Sequence, residues 1–160
     1  MINENDELFL REAIRLALQG MRSNLGGPFG AVVVKNGQIV GRGNNRVTSN
    51  NDPTAHAEIM AIRDACKQLE SHQLEDCTIY TSCEPCPMCL GAIYWARPKR
   101  IVYAATHEDA DHIAGFDDQF IYKEMALPHK ERKIPAYQAL REEGLDVFKE
   151  WQSKADREEY

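Results

Sequence analysis

A histidine at position 56 and a Cys-x-x-Cys at positions 86 and 89 carry metal-ligand spacing, and a fold that uses them has to bring the two stretches to one point. In Asn51-Asp52-Pro53-Thr54-Ala55-His56-Ala57-Glu58, the acid and the proline read as a helix start, with Ile59, Ile62, Cys66 and Leu69 at helical spacing behind them. His56 and Glu58 then fall in the first turns. Two residues along a helix is about 200° of rotation, so these side chains meet only at the helix mouth. Pro85 and Pro87 mark a second start, and Met88 to Ala96, before Pro98, reads as the helix that follows. Two helix N-termini therefore face one metal, which favours the thiolate forms of Cys86 and Cys89.

A structural zinc is usually closed by four protein ligands, whereas a catalytic one takes three and leaves a position for water. His56, Cys86 and Cys89 supply three, and a water held there becomes acidic enough to act as nucleophile near neutral pH. Glu58 suits the role of acid and base better than that of ligand. A His-x-Glu followed by a Pro-Cys-x-x-Cys is the signature of zinc enzymes that hydrolyse an amine from a nucleobase. Cys83 and Cys86 form a second Cys-x-x-Cys, which leaves open Cys83 as a ligand, a redox pair, or a four-ligand structural zinc knot in a binding module. The later pair is preferred because Cys83 ends the strand-like Cys77 to Ser82 while Cys86 and Cys89 open a helix.

The rest of the chain reads as an α/β domain. Leu10, Ala13, Ile14, Ala17 and Met21 form the apolar stripe of a helix over Asp6 to Met21, broken by Gly26-Gly27-Pro28. Ala31 to Val34 and Gln38 to Gly41 flank Asn36-Gly37, a strong hairpin signal. Gly43 to Arg46 opens a polar loop, in which Asn45 reads more simply as a turn residue than as a substrate contact. Arg100 to Ala104 is a further strand, and strands alternating with helices imply layered α/β packing. Beyond His107 the pattern weakens. Gly115-Phe116-Asp117-Asp118 is a turn, Asp118 to Met125 a short helix, Ile134 to Leu140 a strand or helix start, and Leu145 to Lys154 an amphipathic helix. His107, His112 and His129 read as surface residues.

With 160 residues the chain is the size of one domain, expected to span 1–160. Five cysteines, three of them clustered, suit a reducing compartment, and the opening residues lack the layout of a secretion signal. A cytoplasmic location is expected, without membrane association. The formal net charge of −6 argues against polymeric nucleic acid as partner and for a small substrate.

At Gly27 to Ala31, Asn51 to Glu58, Thr81 to Cys89 and Gly115 to Asp118 the sequence resembles bacterial guanine deaminases of the cytidine-deaminase-like superfamily. The likeness runs from about the first helix to Tyr160. It implies a three-layer α/β/α sandwich around a mixed sheet, a homodimer, one zinc ion per subunit, and hydrolysis of the purine base guanine to xanthine and ammonia. On that pattern His56, Cys86 and Cys89 match the zinc ligands and Glu58 the proton shuttle. Asp117 looks like a second pocket carboxylate and Asn45 a substrate-binding amide. The Ala57 backbone amide, Phe29 and Trp95 match positions lining the pocket. The C-terminal segment, about 145–160 and including Tyr160, looks like the part that covers the site. A tRNA adenosine deaminase uses the same zinc machinery on a flipped-out base, and so does a cytosine deaminase.

Overall fold

Residues 31 to 34 read Ala-Val-Val-Val, too continuously apolar for a strand with one wet face. The computed structural model, which describes residues 2–160, buries them in β1 (Gly30–Lys35) with cover on both sides. Asn36 and Gly37 take positive φ angles of 51° and 75° and turn the chain into β2 (Gln38–Asn44), as their pairing predicts. The order β2-β1-β3-β4 adds β3 (Cys77–Cys83) antiparallel to β1 and β4 (Arg100–Ala105) parallel to β3. The sheet is therefore mixed.

Alternation sorts the core into two layers. Val32, Val34, Tyr80 and Val102 face α1 (Glu4–Arg22), where Leu16, Phe9 and Leu10 pack on them. Ala31, Val33 and Ile79 face the opposite way, toward Ala57, Ala61 and Ala65 of α3 (Ala57–Leu69) and Ile93 and Ala96 of α4 (Pro87–Ala96). This is the three-layer α/β/α arrangement. Small residues set its spacing on both faces: a Cβ on Gly30 would lie 2.2 Å from the Ala13 carbonyl oxygen, and one on Gly43 2.2 Å from that of Ala57. The two helices thus rest nearly on the strand backbones.

The structure corrects the first motif helix. Asp52 does not cap it: its Oδ1 accepts from the Thr54 amide (2.8 Å) and hydroxyl (2.7 Å), closing a turn of its own. The helix begins at Ala57 and His56 is its N-cap. The loop before it contains the short α2 (Val47–Asn50). After β4, α5 (His107–Ala114) forms where no helix was expected, capped by Thr106 with Asp109 and ended by Gly115 at φ 73°.

The chain divides into two compact units, one ending at Gln119 and one of Phe120–Tyr160. The second unit takes up α6 (Gln119–Ala126), a 3₁₀ turn (His129–Glu131) and α7 (Arg141–Ser153). Ile134 to Leu140, expected as strand or helix start, is neither, and Leu140 turns at φ 50° before α7. None of the residues of this unit is buried.

Candidate active site

Each motif places its first candidate ligand at a helix N-cap, where the backbone is still extended. His56 has φ −68° and ψ 159°, and its side chain makes no capping bond, so the ring is left to face the cysteines. Cys86 is the N-cap of α4, followed by Pro87, and its Sγ accepts from the Cys89 amide at 3.5 Å. His56 Nδ1 lies 3.6 Å from Cys86 Sγ and 3.5 Å from Cys89 Sγ. Zn–S near 2.3 Å and Zn–N near 2.0 Å at a tetrahedral angle imply a sulfur–nitrogen separation of about 3.5 Å. The donor set fits a tetrahedral zinc. Among the described residues these three form the group of His, Cys, Asp and Glu ligand atoms close enough to hold an ion.

Electrostatics separates the cysteines. Hydrogen bonding from Cys89, helped by His56 and the Cys89 amide, holds the Cys86 thiol down at about 4. Its bond to that thiolate, then burial and the Glu58 charge, push Cys89 up. Cys83 is different. Its Sγ donates to the Thr106 carbonyl at 3.4 Å, burial pushes it up to about 11, and it lies outside the His56, Cys86 and Cys89 group whose ligand atoms come within 4.8 Å of one another. The bond that the imidazole makes to Cys86, with the charges of Cys86, Glu58 and Asp118 adding, raises the His56 pKa against the effect of burial.

Glu58, in the first turn of α3, is 6% exposed, and Cys89 Sγ donates to its Oε2 at 3.4 Å. Burial raises its pKa, the direction that suits a group which takes up and returns a proton near neutral pH. Ala57 is the first helical residue, so its N–H has no helical acceptor and faces the same mouth.

Asn45 is 6% exposed and does hold a turn: its Oδ1 accepts from Gly27 N and Val47 N, each at 3.1 Å. Two backbone donors on the oxygen fix the amide's orientation and leave its NH₂ as the end with hydrogens to offer. A Cβ on Gly26 would lie 2.3 Å from that oxygen, so the glycine is required by the close approach. Phe29 meets Phe116 edge-to-face, with ring centroids 4.9 Å apart.

Asp117 is exposed, with Oδ1 accepting from the Gln119 amide at 2.9 Å. The more buried carboxylate is its neighbour Asp118, 18% exposed, which faces His107. His107 is not a surface residue: its side chain is 24% exposed. His112 and His129 are exposed as expected. Trp95 stands 64% exposed near the end of α4, and Tyr160, in the second unit, is 71% exposed. A cavity of about 360 Å³ beside Lys35, His72 and Glu75 touches none of the motif residues.

A signal for α5 was present in Thr106-x-x-Asp109 followed by Gly115. No sequence period distinguishes Asp118 from Asp117.

The profile of the cytidine and deoxycytidylate deaminase zinc-binding region matches residues 3–105. The chain is 59% identical over 156 residues to the guanine deaminase of Bacillus subtilis (strain 168), covering 98% of this chain and 99% of that one. It is 39% identical over 99 residues to the tRNA-specific adenosine deaminase of Aquifex aeolicus (strain VF5), covering 62% of this chain and 65% of that one. The X-ray structure of the Bacillus subtilis guanine deaminase superimposes with a TM-score of 0.94 at 58% identity, over 99% of each chain.

Proposed function

The chain belongs to the cytidine and deoxycytidylate deaminase zinc-binding family, and from that premise we propose that it hydrolyses guanine to xanthine and ammonia. The observation that carries the substrate is the extent of similarity. The likeness to a guanine deaminase covers 98% of the chain, while that to a tRNA-specific adenosine deaminase covers 62%. The part outside the shared zinc region is thus held in common with an enzyme named for guanine.

His56, Cys86 and Cys89 hold one zinc ion per subunit. When bound, the ion supplies Lewis acidity that brings a water's pKa toward neutrality. Glu58 would take a proton from the attacking water and deliver it to guanine N3 as a C2–O bond forms, and the C2–N bond would then break with the amine leaving as ammonia. Asn45 donates from the NH₂ that its turn leaves available, to a purine acceptor. Asp117 accepts from the N1 hydrogen and the neighbouring N2 amine, and relays the remaining proton of the new C2 hydroxyl to that amine, so that C2=O and ammonia form together. Phe29 forms an apolar wall, and the Ala57 amide donates from the helix mouth. Trp95 and, in the C-terminal segment of about 145–160, Tyr160 are the remaining residues that the resemblance to guanine deaminases assigns to the base.

The protein acts as one deaminase domain over 1–160, as a homodimer in the cytoplasm. Exposed aromatics on α4 and β4, Tyr94, Trp95 and Tyr103, support an assembled state. Among the described residues no helix is long and apolar enough to cross a membrane. The net charge of −6 gives no general attraction for a phosphate backbone.

The test is zinc-loaded protein incubated with guanine, with ammonia and xanthine measured together. One ammonia per xanthine is expected, and Glu58→Gln should retain zinc while losing about a hundred- to ten-thousand-fold in rate. Absence of xanthine from zinc-replete protein would overturn the assignment.

A further inference from the structure

His107 opens α5 between two carboxylates, Glu84 on the loop after β3 and Asp118 beyond the end of α5. Its backbone N–H donates to Glu84 Oε2 at 3.3 Å, its Nε2 lies 3.9 Å from the same oxygen, and its Nδ1 lies 3.5 Å from Asp118 Oδ1. Glu84 sits between Cys83 and the ligand Cys86, on a loop already fastened by its own N–H to the Ala105 carbonyl (2.8 Å) and by Cys83 to Thr106. Asp118 ends the Gly115–Asp118 stretch, whose Phe116 lies on Phe29 and whose Asp117 stands next in the chain. The Nδ1 and Oδ1 atoms are both buried. A carboxylate removed from water is stable only with a donor or counter-charge facing it, and the imidazole occupies that place.

We propose that His107 is a positioning residue for the deamination: held by Glu84 on the metal loop, it binds Asp118 and so keeps Phe116 and Asp117 at the base pocket. This rests on the deaminase reading above. Its removal leaves the ligands and Glu58 untouched and loosens the wall that receives the base. The effect belongs to substrate binding first.

Steady-state kinetics on zinc-replete His107→Ala, His107→Gln and the double variant His107→Ala/Asp118→Asn test it, beside hydrogen exchange of the amides of residues 115–118. His107→Ala is expected to raise KM for guanine about tenfold, with a smaller change in kcat and faster exchange at 115–118. His107→Gln, whose amide still donates, should restore most of both. Asp118→Asn should relieve the alanine variant by removing the buried charge. Unchanged KM and exchange in His107→Ala would overturn the proposal, as would a loss that neither second variant relieves. If the wild type fails on guanine, the substrate reading falls, and exchange at 115–118 decides the positioning role on its own.

Discussion

His56, Cys86 and Cys89 bring their ligand atoms within 4.8 Å of one another, while Cys83 Sγ is turned to the Thr106 carbonyl, so neighbouring cysteines meet a cation on unequal terms. Cys86→Ala and Cys89→Ala should therefore lose zinc and activity together, and Cys83→Ala should keep its metal. Zinc per subunit measured in the three variants decides this, and metal loss in the Cys83 variant would reverse the assignment. Asp117 is tested by selection. On the proposed reading Asp117, exposed in this structure, accepts two neighbouring donors from guanine, where adenine presents an acceptor, so guanine should be the preferred base. Asp117→Asn and Asp117→Ala should depress kcat/KM for guanine at full zinc content, and unchanged kinetics would remove Asp117 from the pocket. That His56, Cys86 and Cys89 come together was legible because their residue types and motif spacing are chemically narrow. Asp118 and His107 were not, because a lone acid and a lone histidine carry no period, and only the β4–α5 junction brings them together.

Helix α3 owes its position to glycine. A Cβ on Gly43 would meet the Ala57 carbonyl at 2.2 Å and the Ala61 amide at 2.5 Å, and one on Gly41 the Ala61 carbonyl at 2.5 Å, contacts with backbone that cannot rotate away. Gly43→Ala should cost about 1–3 kcal/mol and shift the helix mouth that presents His56 and Glu58, lowering both Tm and kcat. Gly91→Ala on α4, where a Cβ meets nothing within 4 Å, should instead hold or raise Tm, since alanine is the better helix former by about 1 kcal/mol. Thermal melts of the two variants separate packing from propensity, and equal effects would refute the account of the seat. The strands and the three long helices of the first unit were readable from period and turn residues. The start of α3 was misread because Asp52-Pro53 satisfies a helix signature while its side chain is spent on Thr54. Asp52-Pro53 and His56 compete for one role, and geometry awards it to the residue whose ring must reach the metal.

Across the first unit, Asp6 joins α1 to the parallel pair β3 and β4: the Tyr80 hydroxyl donates to its Oδ1 at 2.6 Å, and Arg100 on β4 bonds the same oxygen. The Tyr80 bond first, then the Asn3 amide and Arg100, hold its carboxyl below the usual range against the effect of burial. A depressed folded-state pKa stabilises fully above the unfolded value and is lost as pH falls through the folded one. Tm of the wild type should thus fall on acidification below about pH 4, and Asp6→Asn should flatten that limb while lowering Tm at neutral pH. An unchanged acid limb in the variant would assign it to other groups. The second unit, with no buried residue of its own, leaves Tyr137, Phe148 and Tyr160 at 70% exposure or more, which is apolar surface that cover would bury. Deleting the last five residues should leave zinc content intact and impair turnover, and an unimpaired truncation would return the tail to a passive role. The two helices of the second unit were legible in the sequence, as Asp118 to Met125 and Leu145 to Lys154, whereas the Ile134 to Leu140 stretch between them, which is neither strand nor helix, was not. The central claim is that the base taken is guanine, and the direct measurement is kcat/KM of the zinc-loaded protein on guanine, adenine, cytosine, their nucleosides and tRNA, with products identified. The account predicts xanthine from guanine, with every other substrate slower by orders of magnitude. Inosine formed in tRNA at comparable or greater efficiency would contradict it.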